Sequence, residues 1–469
     1  MVKRVRVIKP RSVGITTTRL GPYFTVASVE LGNTTTKCIL STTNLKTAEI
    51  FQLAKVVKFT RDVRRPLRNE EVFGETIVGV KLTRESVAEL IAGILQEALS
   101  LAGMRVEEDL HFVVRSTGVT AGFSNPEDVG EMVKALADGC LKAGVPPRKM
   151  TAALTVDSLP PNLREYTWLK KVYFDGAVAS SLPPANASVV ANEMEGELVT
   201  AGIKGAVKGT EIDFRNPVMT LDFGTTLAGR VTDNSHPYAK TIGSFAGLAG
   251  AIPDAIVRGS GFLDITNGTA LDLPSATAKS HSLVHPDFLD EIQGVIRVEV
   301  ITPGTTRYGT VPVNIKAAEE SGVTLIGVDV GTNGSKLSQL EKIGKDLFSD
   351  QGLDGLYTVL DLTQATLVNR LVSLSAENGL ILEETSLGLT GRAITSGNKP
   401  TIIASNLRVK EDLWSKTHQL VFVEDGLAMG AAVAARCMNS LGTRDNPMGG
   451  RKGDKCIMGA RIKLQAKDR

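Results

Sequence analysis

The sequence predicts an α/β protein that is built from two lobes. Segments with the patterns of strands and helices alternate along the chain, which is typical of a sheet covered by helices. The 469 residues exceed the size of one ordinary core, so two or three domains are expected. In addition, an apolar strand that ends in an acid, a glycine and small polar residues occurs three times.

The composition indicates a folded protein and disfavours several functional classes. Hydrophobic residues make up 42% and charged residues 22% of the chain, which argues against global disorder. The net charge of +2 lacks the basic surplus of a dedicated nucleic-acid-binding protein. Because no apolar run is long enough to span a bilayer and no signal peptide is recognisable, we expect neither membrane insertion nor secretion.

The cysteines indicate neither a metal cluster nor disulfide bonds. They lie far apart in the sequence and form no C-x-x-C pair, so we expect no iron–sulfur cluster and no structural zinc in this chain. Their sparse placement fits a reducing cytoplasm. The four cysteines are Cys38, Cys140, Cys437 and Cys456.

The first lobe is predicted over residues 21–215, after a basic arm of residues 1–20. Its first strand is β-branched and apolar and ends at a Gly-Asn turn. Thr83 is a candidate N-cap for the first long helix, and Gly103 follows its end. The predicted strands cover residues 24–31, 37–41, 49–60 and 110–114, and the predicted helices cover residues 83–101, 126–142 and 192–207.

The second lobe is predicted over residues 216–441, with a loop-rich insertion near residues 259–350 that is dense in Gly, Ser, Thr and Pro. A basic tail follows at residues 442–469. Both termini are predicted to be solvated, with docking to an acidic partner as the alternative. The predicted strands cover residues 218–223, 227–231, 324–330 and 420–424, and the predicted helices cover residues 337–347, 353–375 and 426–441.

The repeated turn carries the functional prediction. Its copies are residues 29–35 (VELGNTT), 221–226 (LDFGTT) and 328–333 (VDVGTN), and a second strand follows the first two. A hairpin without bulky side chains lets backbone N–H groups converge on phosphate oxygens. The acid at the end of the strand can hold Mg²⁺, usually through water.

The first two hairpins are predicted to grip a phosphate chain from opposite sides. Thr hydroxyls would add donors, Lys37 would add a positive charge, and Glu30 and Asp222 would bind the metal. The predicted phosphate contacts are Gly32, Asn33, Thr34, Thr35, Thr36, Lys37, Gly224, Thr225 and Thr226.

The order of these segments resembles the superfamily of actin, sugar kinases and heat-shock chaperone ATPases. Residues 30–37 resemble its first phosphate motif, and residues 222–226 resemble the second. The helices that begin at Asn192 and Gly426 resemble its two connecting helices. Thr390-Gly391-Arg392 resembles a reduced adenosine motif, in which Arg392 replaces the second glycine. This resemblance implies two actin-like (ribonuclease H-like) lobes around a nucleotide cleft, with ATP and Mg²⁺ as cofactors and Gly391 against the adenosine.

The third copy of the turn, at Asp329, competes with Asp222 for the second phosphate role. Its spacing to Gly391 is too short for the half-domain that normally intervenes in this superfamily. We therefore assign the role to Asp222 and predict that Asp329 belongs to a structural turn.

Two narrower resemblances suggest a context. Residues 243–252 and 259–264 are similar to segments of ATPases that reductively activate corrinoid proteins and carry an iron–sulfur module, which this chain lacks. Residues 135–150, 174–180 and 192–204 resemble methanogenesis marker protein 14, a family of methanogenic archaea. Together they imply an accessory protein with a methanogenesis enzyme as client and, if electrons are transferred, a separate electron donor.

The leading hypothesis is an ATPase that activates, reactivates or remodels a corrinoid or nickel enzyme. Asp222 would position Mg²⁺ or the attacking water, and Glu193 is a candidate base that orients the water, with helix-terminus stabilisation as its alternative role. Glu30 stands where the superfamily usually has Asp. Its extra methylene moves the carboxylate outward by about 1.5 Å, the length of one C–C bond, so that it would act through water.

Two other functions remain open at the level of sequence. A small-molecule kinase would use the same hairpins but needs an acceptor pocket with a base, for which no diagnostic motif is present. A nucleotide-sensing scaffold subunit would bind ATP with little turnover, and Glu30 and Arg392 favour that alternative. A homodimer is compatible with any of the three functions.

Overall fold

The computed structural model of the chain describes residues 5–44, 47–117, 126–150, 177–179, 193–234, 239–274, 286–407 and 420–440. In its first half the elements are β1 Val7–Ile8, β2 Arg11–Ser12, α1 Ile15–Leu20, β3 Tyr23–Leu31, β4 Thr35–Asn44, β5 Ile50–Phe59, β6 Val72–Glu75, β7 Lys81–Thr83, α2 Arg84–Leu101, α3 Val106–Asp109, β8 Phe112–Thr117, α4 Pro126–Lys142, β9 Ala177–Ala179 and α5 Glu193–Ala206.

The first lobe is formed around a six-stranded sheet in the order β2-β5-β4-β3-β8-β9. Strands β3, β4 and β5 form an antiparallel meander. Strand β8 joins the free side of β3 in parallel, and β9 joins β8 in the same way. Helices α2 and α4 pack together, and α2 lies against β4 and β5. One face of this sheet is therefore covered by helices, as the alternation of patterns predicts.

The second half contains β10 Val218–Phe223, β11 Leu227–Thr232, β12 Thr241–Gly247, α6 Ala251–Gly259, α7 Pro286–Val295, β13 Ile296–Val300, β14 Arg307–Tyr308, β15 Val311–Pro312, α8 Ile315–Ser321, β16 Thr324–Val330, α9 Leu337–Glu377, β17 Ser386–Thr390, α10 Arg392–Thr395, α11 Lys399–Asn406, β18 Leu420–Val423 and α12 Gly426–Ser440.

The second lobe repeats the topology of the first. Strands β10, β11 and β12 form an antiparallel meander, while β17 and then β18 join β10 in parallel. Each lobe thus has a three-strand meander followed by two parallel strands on the side of its first strand. This is the strand order of the actin-like, ribonuclease H-like fold, so the predicted fold class of two such lobes is confirmed.

The insertion of the second lobe is more regular than predicted. Strands β16 and β13 extend the sheet beyond β12 and give it eight strands in total. The helix α9 follows and is kinked at Gly352, whose φ is 63°. The predicted strand at residues 324–330 and the two predicted helical segments of α9 are present. Helix α7 and strand β13 were not predicted from the loop-like composition of the surrounding chain.

The two connecting helices join the lobes. Helix α5 packs on β10 and β11 of the second lobe, whereas α12 packs on β3 and β4 of the first lobe. Where they meet, a Cβ atom on Gly202 would lie 1.8 Å from the carbonyl oxygen of Gly426, and one on Gly430 would lie 1.8 Å from that of Leu198. The glycines therefore let the two backbones touch, and this contact fixes the base of the cleft.

The N-terminal arm is not a solvated tail along residues 7–12, so that prediction is wrong. Val7 pairs with Phe422 in the second lobe, and Arg11 pairs with Phe51 in the first. The arm therefore crosses from one sheet to the other. It is held because Val7 and Ile8 pack against the apolar cores and because its backbone pairs with two exposed sheet edges. The predicted C-terminal tail at 442–469 lies outside the described residues.

Within the described ranges, the helices include none that is both long and apolar enough to cross a membrane.

Candidate functional site

A cavity of about 390 Å³ lies between the two lobes and receives both predicted phosphate hairpins. The β3–β4 hairpin enters it from the first lobe and the β10–β11 hairpin from the second. The predicted site residues that line it are Glu30, Gly32, Asn33, Thr35, Lys37, Asp222, Gly224, Thr225, Thr226 and Gly391.

The tips of the two hairpins touch each other. The hydroxyl oxygens of Thr34 and Thr225 are 2.8 Å apart, although these residues belong to different sheets. Gly32 makes the first turn narrow, because a Cβ there would lie 2.8 Å from the carbonyl oxygen of Thr35. Both hairpins follow the central strand of their sheet, so the common fold of the lobes places them face to face.

Two of the predicted residues do not line this cavity. Thr36 is fully buried and shares a hydrogen bond with the hydroxyl of Thr60. Successive side chains alternate across a strand, so Thr36 points away while Thr35 and Lys37 face the cavity; this contradicts a phosphate contact by the Thr36 side chain. Thr34 is the second residue that is absent from the lining; its hydroxyl contacts the hydroxyl of Thr225 in the second lobe. The backbone of Glu193 begins helix α5, but its side chain lies outside the described residues.

Lys37 is placed among carboxylates. Its ammonium lies 3.4 Å from the carboxylate of Glu30, and its side chain is 23% exposed. Burial acts to lower the pKa of Lys37, but the nearby carboxylates of Glu30, Asp425 and Asp222 outweigh it and hold the pKa above its usual value. Lys37 is therefore positively charged at neutral pH and available to neutralise an anion in the cavity.

Asp222 is an unusual acid in this site. Burial, with a further contribution from the carboxylates of Glu30 and Asp425, raises its pKa to about 7, against the opposing effect of Lys37. Near neutral pH, Asp222 is thus divided between its protonated and ionised forms. A cation that binds to it would displace the proton.

Asp329 has the structural role that its spacing predicts. Its carboxylate accepts hydrogen bonds from the backbone N–H groups of Val330 at 2.8 Å, Asn333 at 2.8 Å and Gly334 at 2.9 Å. These bonds close the turn that precedes α9. The third copy of the motif therefore uses its acid to hold its own backbone.

A second group of charged residues lines the same cavity and was not predicted from the sequence. Lys55 of β5 donates to Glu424 at 3.1 Å and to Asp425 at 2.6 Å, and Lys9 of the arm lies 3.4 Å from Glu424. Asp425 has a φ of 57°, which a residue other than glycine rarely adopts. Glu195 of α5 also lines the cavity.

The acids of the cavity suit magnesium better than a metal held by protein side chains alone. Among the described residues, no group of three or more His, Cys, Asp or Glu side chains is arranged to hold an ion. Mg²⁺ keeps several waters and commonly takes one or two carboxylates together with phosphate oxygens. Glu30 and Asp222 line the same cavity as the two hairpins, so they are the carboxylates that could hold such an ion.

Residues 23–465 match a family described as "Uncharacterized protein conserved in archaea (DUF2114)". The chain belongs to this family. An uncharacterized protein of Methanocaldococcus jannaschii is 52% identical over 463 residues, which cover 98% of this chain and 95% of the relative. An uncharacterized protein of Methanothermobacter thermautotrophicus is 50% identical over 455 residues, which cover 95% of this chain and 84% of the relative.

Solved structures resemble this DUF2114 protein more remotely. The ethanolamine utilization protein EutJ from Carboxydothermus hydrogenoformans is 10% identical, with a TM-score of 0.35 over 88% of this chain and 89% of that one. A reductive activator for a corrinoid, iron–sulfur protein is 12% identical, with a TM-score of 0.37 over 88% and 60% of the chains. At these scores the likeness carries no weight, and the fold assignment stands on the strand order of the two sheets.

Proposed function

We propose that this protein binds ATP with Mg²⁺ between its lobes, hydrolyses it, and uses the accompanying lobe movement to activate, reactivate or remodel a metallocofactor enzyme. The observation that carries the proposal is the contact of two glycine-containing hairpins, one from each lobe, at Thr34 and Thr225. Glu30, Lys37 and Asp222 line the cavity beside that contact. In the proposal, this combination would supply phosphate donors, a cation and metal ligands at one place.

The cavity fits this ligand in size and in chemistry. Its volume of about 390 Å³ lies in the range of sites that enclose a small molecule. The backbone of the hairpins and the hydroxyls of Thr35, Thr225 and Thr226 would donate to phosphate oxygens, and Glu30 and Asp222 would hold Mg²⁺. Gly391 would lie against the adenosine, with its φ of 101° favouring glycine.

In this proposal, phosphoryl transfer to water depends on positioning and electrostatics rather than on a covalent intermediate. Lys37 would neutralise charge that develops on the phosphate. Asp222 would release its proton when the metal binds, and Glu193 at the start of α5 is the candidate residue for orienting water. The lobes would close around ATP and open after hydrolysis, because the two states of the protein would differ in affinity for ATP and ADP.

The proposed client is a corrinoid or nickel enzyme of methanogenesis. This rests on the resemblance to methanogenesis marker protein 14 and to reductive activators of corrinoid proteins. If the client is reduced during activation, a separate protein would supply the electrons. Affinity capture of the tagged protein from native cells, followed by an ATPase assay of the complex, tests this part of the proposal.

A nucleotide-sensing scaffold subunit is the second candidate. The ion pair between Lys37 and Glu30 favours it, because the pair occupies a cation and a carboxylate that turnover would use. Arg392 in the cavity wall favours it as well, because it stands where the superfamily motif has its second glycine. ATP affinity without measurable hydrolysis, with and without the captured client, would support this candidate.

The site assignment is tested with Asp222→Asn. The variant is expected to lose Mg²⁺-dependent phosphate release, because Asn cannot bind the metal as an anion. Asp213→Asn is the control, since Asp213 pairs with Arg215 on an exposed surface outside the cavity. Phosphate release at the wild-type rate by folded Asp222→Asn would refute the assignment of Asp222.

A further inference from the structure

Arg392 reaches from the second lobe to the first phosphate hairpin. It begins helix α10, and its side chain is only 12% exposed. Nη1 donates to Asp254 Oδ1 at 3.1 Å, while Nη2 donates to Asp254 Oδ2 and, at 3.0 Å, to the hydroxyl of Thr34. Arg392 thus bridges an acid of its own lobe and a hairpin of the other.

Thr34 is the point at which the first hairpin contacts the second lobe. Its hydroxyl lies 2.8 Å from that of Thr225 and 3.3 Å from Asp254 Oδ2, in addition to the contact with Arg392. The guanidinium therefore lies where the two proposed phosphate-binding hairpins meet, and Arg392 lines the same cavity as they do.

The backbone around Arg392 is built to admit its side chain. A Cβ on Gly391 would lie 2.4 Å from the backbone of Phe223, so the chain passes directly against the second hairpin. A Cβ on Gly250 would lie 2.9 Å from Nη2 of Arg392. Gly250 thus leaves space that the guanidinium fills, and Gly391 lets the backbone just before Arg392 pass close to the second hairpin.

The bonding of Arg392 leaves capacity for a ligand. A guanidinium has five N–H donors in a planar fork that matches phosphate, and three hydrogen bonds from Arg392 are seen in the described part of the chain. Asp254 also accepts from the backbone N–H of Ala270 at 2.8 Å. The carboxylate therefore keeps a partner if the guanidinium turns toward an anion.

We propose that Arg392 binds the phosphate chain of ATP and that Asp254 holds the guanidinium in place when no nucleotide is present. This inference rests on the proposed binding of ATP in the cleft and adds a phosphate ligand that the hairpin motifs do not contain. It also makes the contact between Thr34 and the second lobe sensitive to the nucleotide, because the phosphate and the Thr34 hydroxyl would both accept from the guanidinium of Arg392.

The test compares binding of MgATP, MgADP and adenosine to the wild type, Arg392→Ala, Arg392→Lys and Asp254→Asn by calorimetry. Arg392→Ala should weaken MgATP and MgADP binding by about 10- to 100-fold, as expected for a charged hydrogen bond, and leave adenosine binding unchanged. Arg392→Lys should recover part of the loss, since it keeps the charge without the fork. Asp254→Asn should tighten MgATP binding, because the competing anion is removed.

Arg258→Ala is the matched control. Arg258 is 10% exposed and pairs within the second lobe with Glu341, which is 39% exposed. Its loss therefore removes a similarly buried guanidinium from α6, the helix that also carries Asp254. MgATP affinity should change less than about twofold in this variant. Circular dichroism checks that each variant is folded, and Arg392→Lys provides the comparison if Arg392→Ala does not fold.

The outcomes separate this inference from the proposed function. A wild type that binds no MgATP overturns both. A wild type that binds MgATP, together with Arg392 variants that match the Arg258 control, overturns the inference alone. Tighter MgATP binding by Arg392→Ala would also overturn it, since Arg392 would then obstruct the site.

Discussion

Asp222 and Asp329 occupy equivalent positions in two copies of one turn, yet replacing each by asparagine should change stability in opposite directions. Both are buried, at 7% and 2% exposure. The Asp329 carboxylate accepts three backbone N–H bonds. No hydrogen bond or ion pair to the Asp222 carboxylate is seen within the described ranges, and its nearest charges include two acids.

For Asp222, the folded protein resists ionisation. Its pKa rises from 3.8 to about 7, and one pKa unit corresponds to about 1.4 kcal/mol, so ionisation opposes folding by at most about 4 kcal/mol. Because the folded state holds this proton more tightly than the unfolded state, the contribution of Asp222 to stability falls as pH rises from about 4 to about 7. Asp222→Asn removes this dependence and should be the more stable protein at pH 8.

For Asp329, the carboxylate stabilises the fold through the three backbone hydrogen bonds that it accepts. Hydrogen bonds to charged groups contribute about 1.5–3 kcal/mol each. Asparagine keeps one acceptor oxygen but places an NH₂ group against the remaining N–H donors. Asp329→Asn should therefore lower the free energy of unfolding by about 2–5 kcal/mol, the loss of one or two such bonds.

The assay is urea denaturation of the wild type and both variants at pH 5 and pH 8, without nucleotide or Mg²⁺. The difference between Asp222→Asn and the wild type should grow toward pH 8, whereas Asp329→Asn should be the least stable protein at both pH values. A destabilisation of Asp222→Asn equal to that of Asp329→Asn at pH 8 would show that Asp222 is a structural residue and refute the reasoning.

Three further predictions address the connecting helices, the phosphate contacts and the closure of the lobes. Gly202→Ala should lower the melting temperature strongly, because its Cβ would lie 1.8 Å from the carbonyl oxygen of Gly426; unchanged melting would exclude this close contact. Thr226→Ala should weaken MgATP binding about fivefold, the effect of one lost hydrogen bond, and calorimetry measures it. Arg61→Ala should speed nucleotide release in stopped-flow experiments, because Arg61 joins the lobes through Asp272 at 2.5 Å, and exchange of the two charges should restore the slow rate.

Features that depend on neighbouring residues could be predicted from the sequence. Thr83 accepts the hydrogen bond of a capping box at the start of α2, and Gly103 with a φ of 62° follows its end. Helix α4 and strand β10 have the predicted limits. These signals are local because a cap, a glycine and an apolar period act within one or two turns of the chain.

Features that depend on distant partners could not be predicted. Lys55 and Asp425 are separated by 370 residues, and no local sequence pattern at either residue indicates that the two pair. The pairing of Val7 with Phe422 likewise could not be predicted, because β18 offers an edge to β1 only after the second sheet has formed. Arg392 is visible in the sequence only as a missing glycine, since its partners come from two other segments. By contrast, the orientation of Thr36 follows from strand alternation once the limits of β4 are known.

Whether a strand or a helix follows the repeated turn explains why its acid has different roles at Asp222 and at Asp329. After Asp222 the chain returns as strand β11, and Asp222 pairs with Ala228 in the antiparallel ladder. The backbone N–H groups of this hairpin therefore bond across the two strands or face the cavity, and do not turn back to the carboxylate. After Asp329 the chain instead enters a helix, and the N–H groups of residues 333 and 334 turn back to the carboxylate. Glu30 follows the first pattern, since it pairs with Lys37 across a hairpin. The acid of this motif is therefore bound by the backbone N–H groups of its own turn when a helix follows, as at Asp329, and faces the cavity when a return strand follows, as at Glu30 and Asp222.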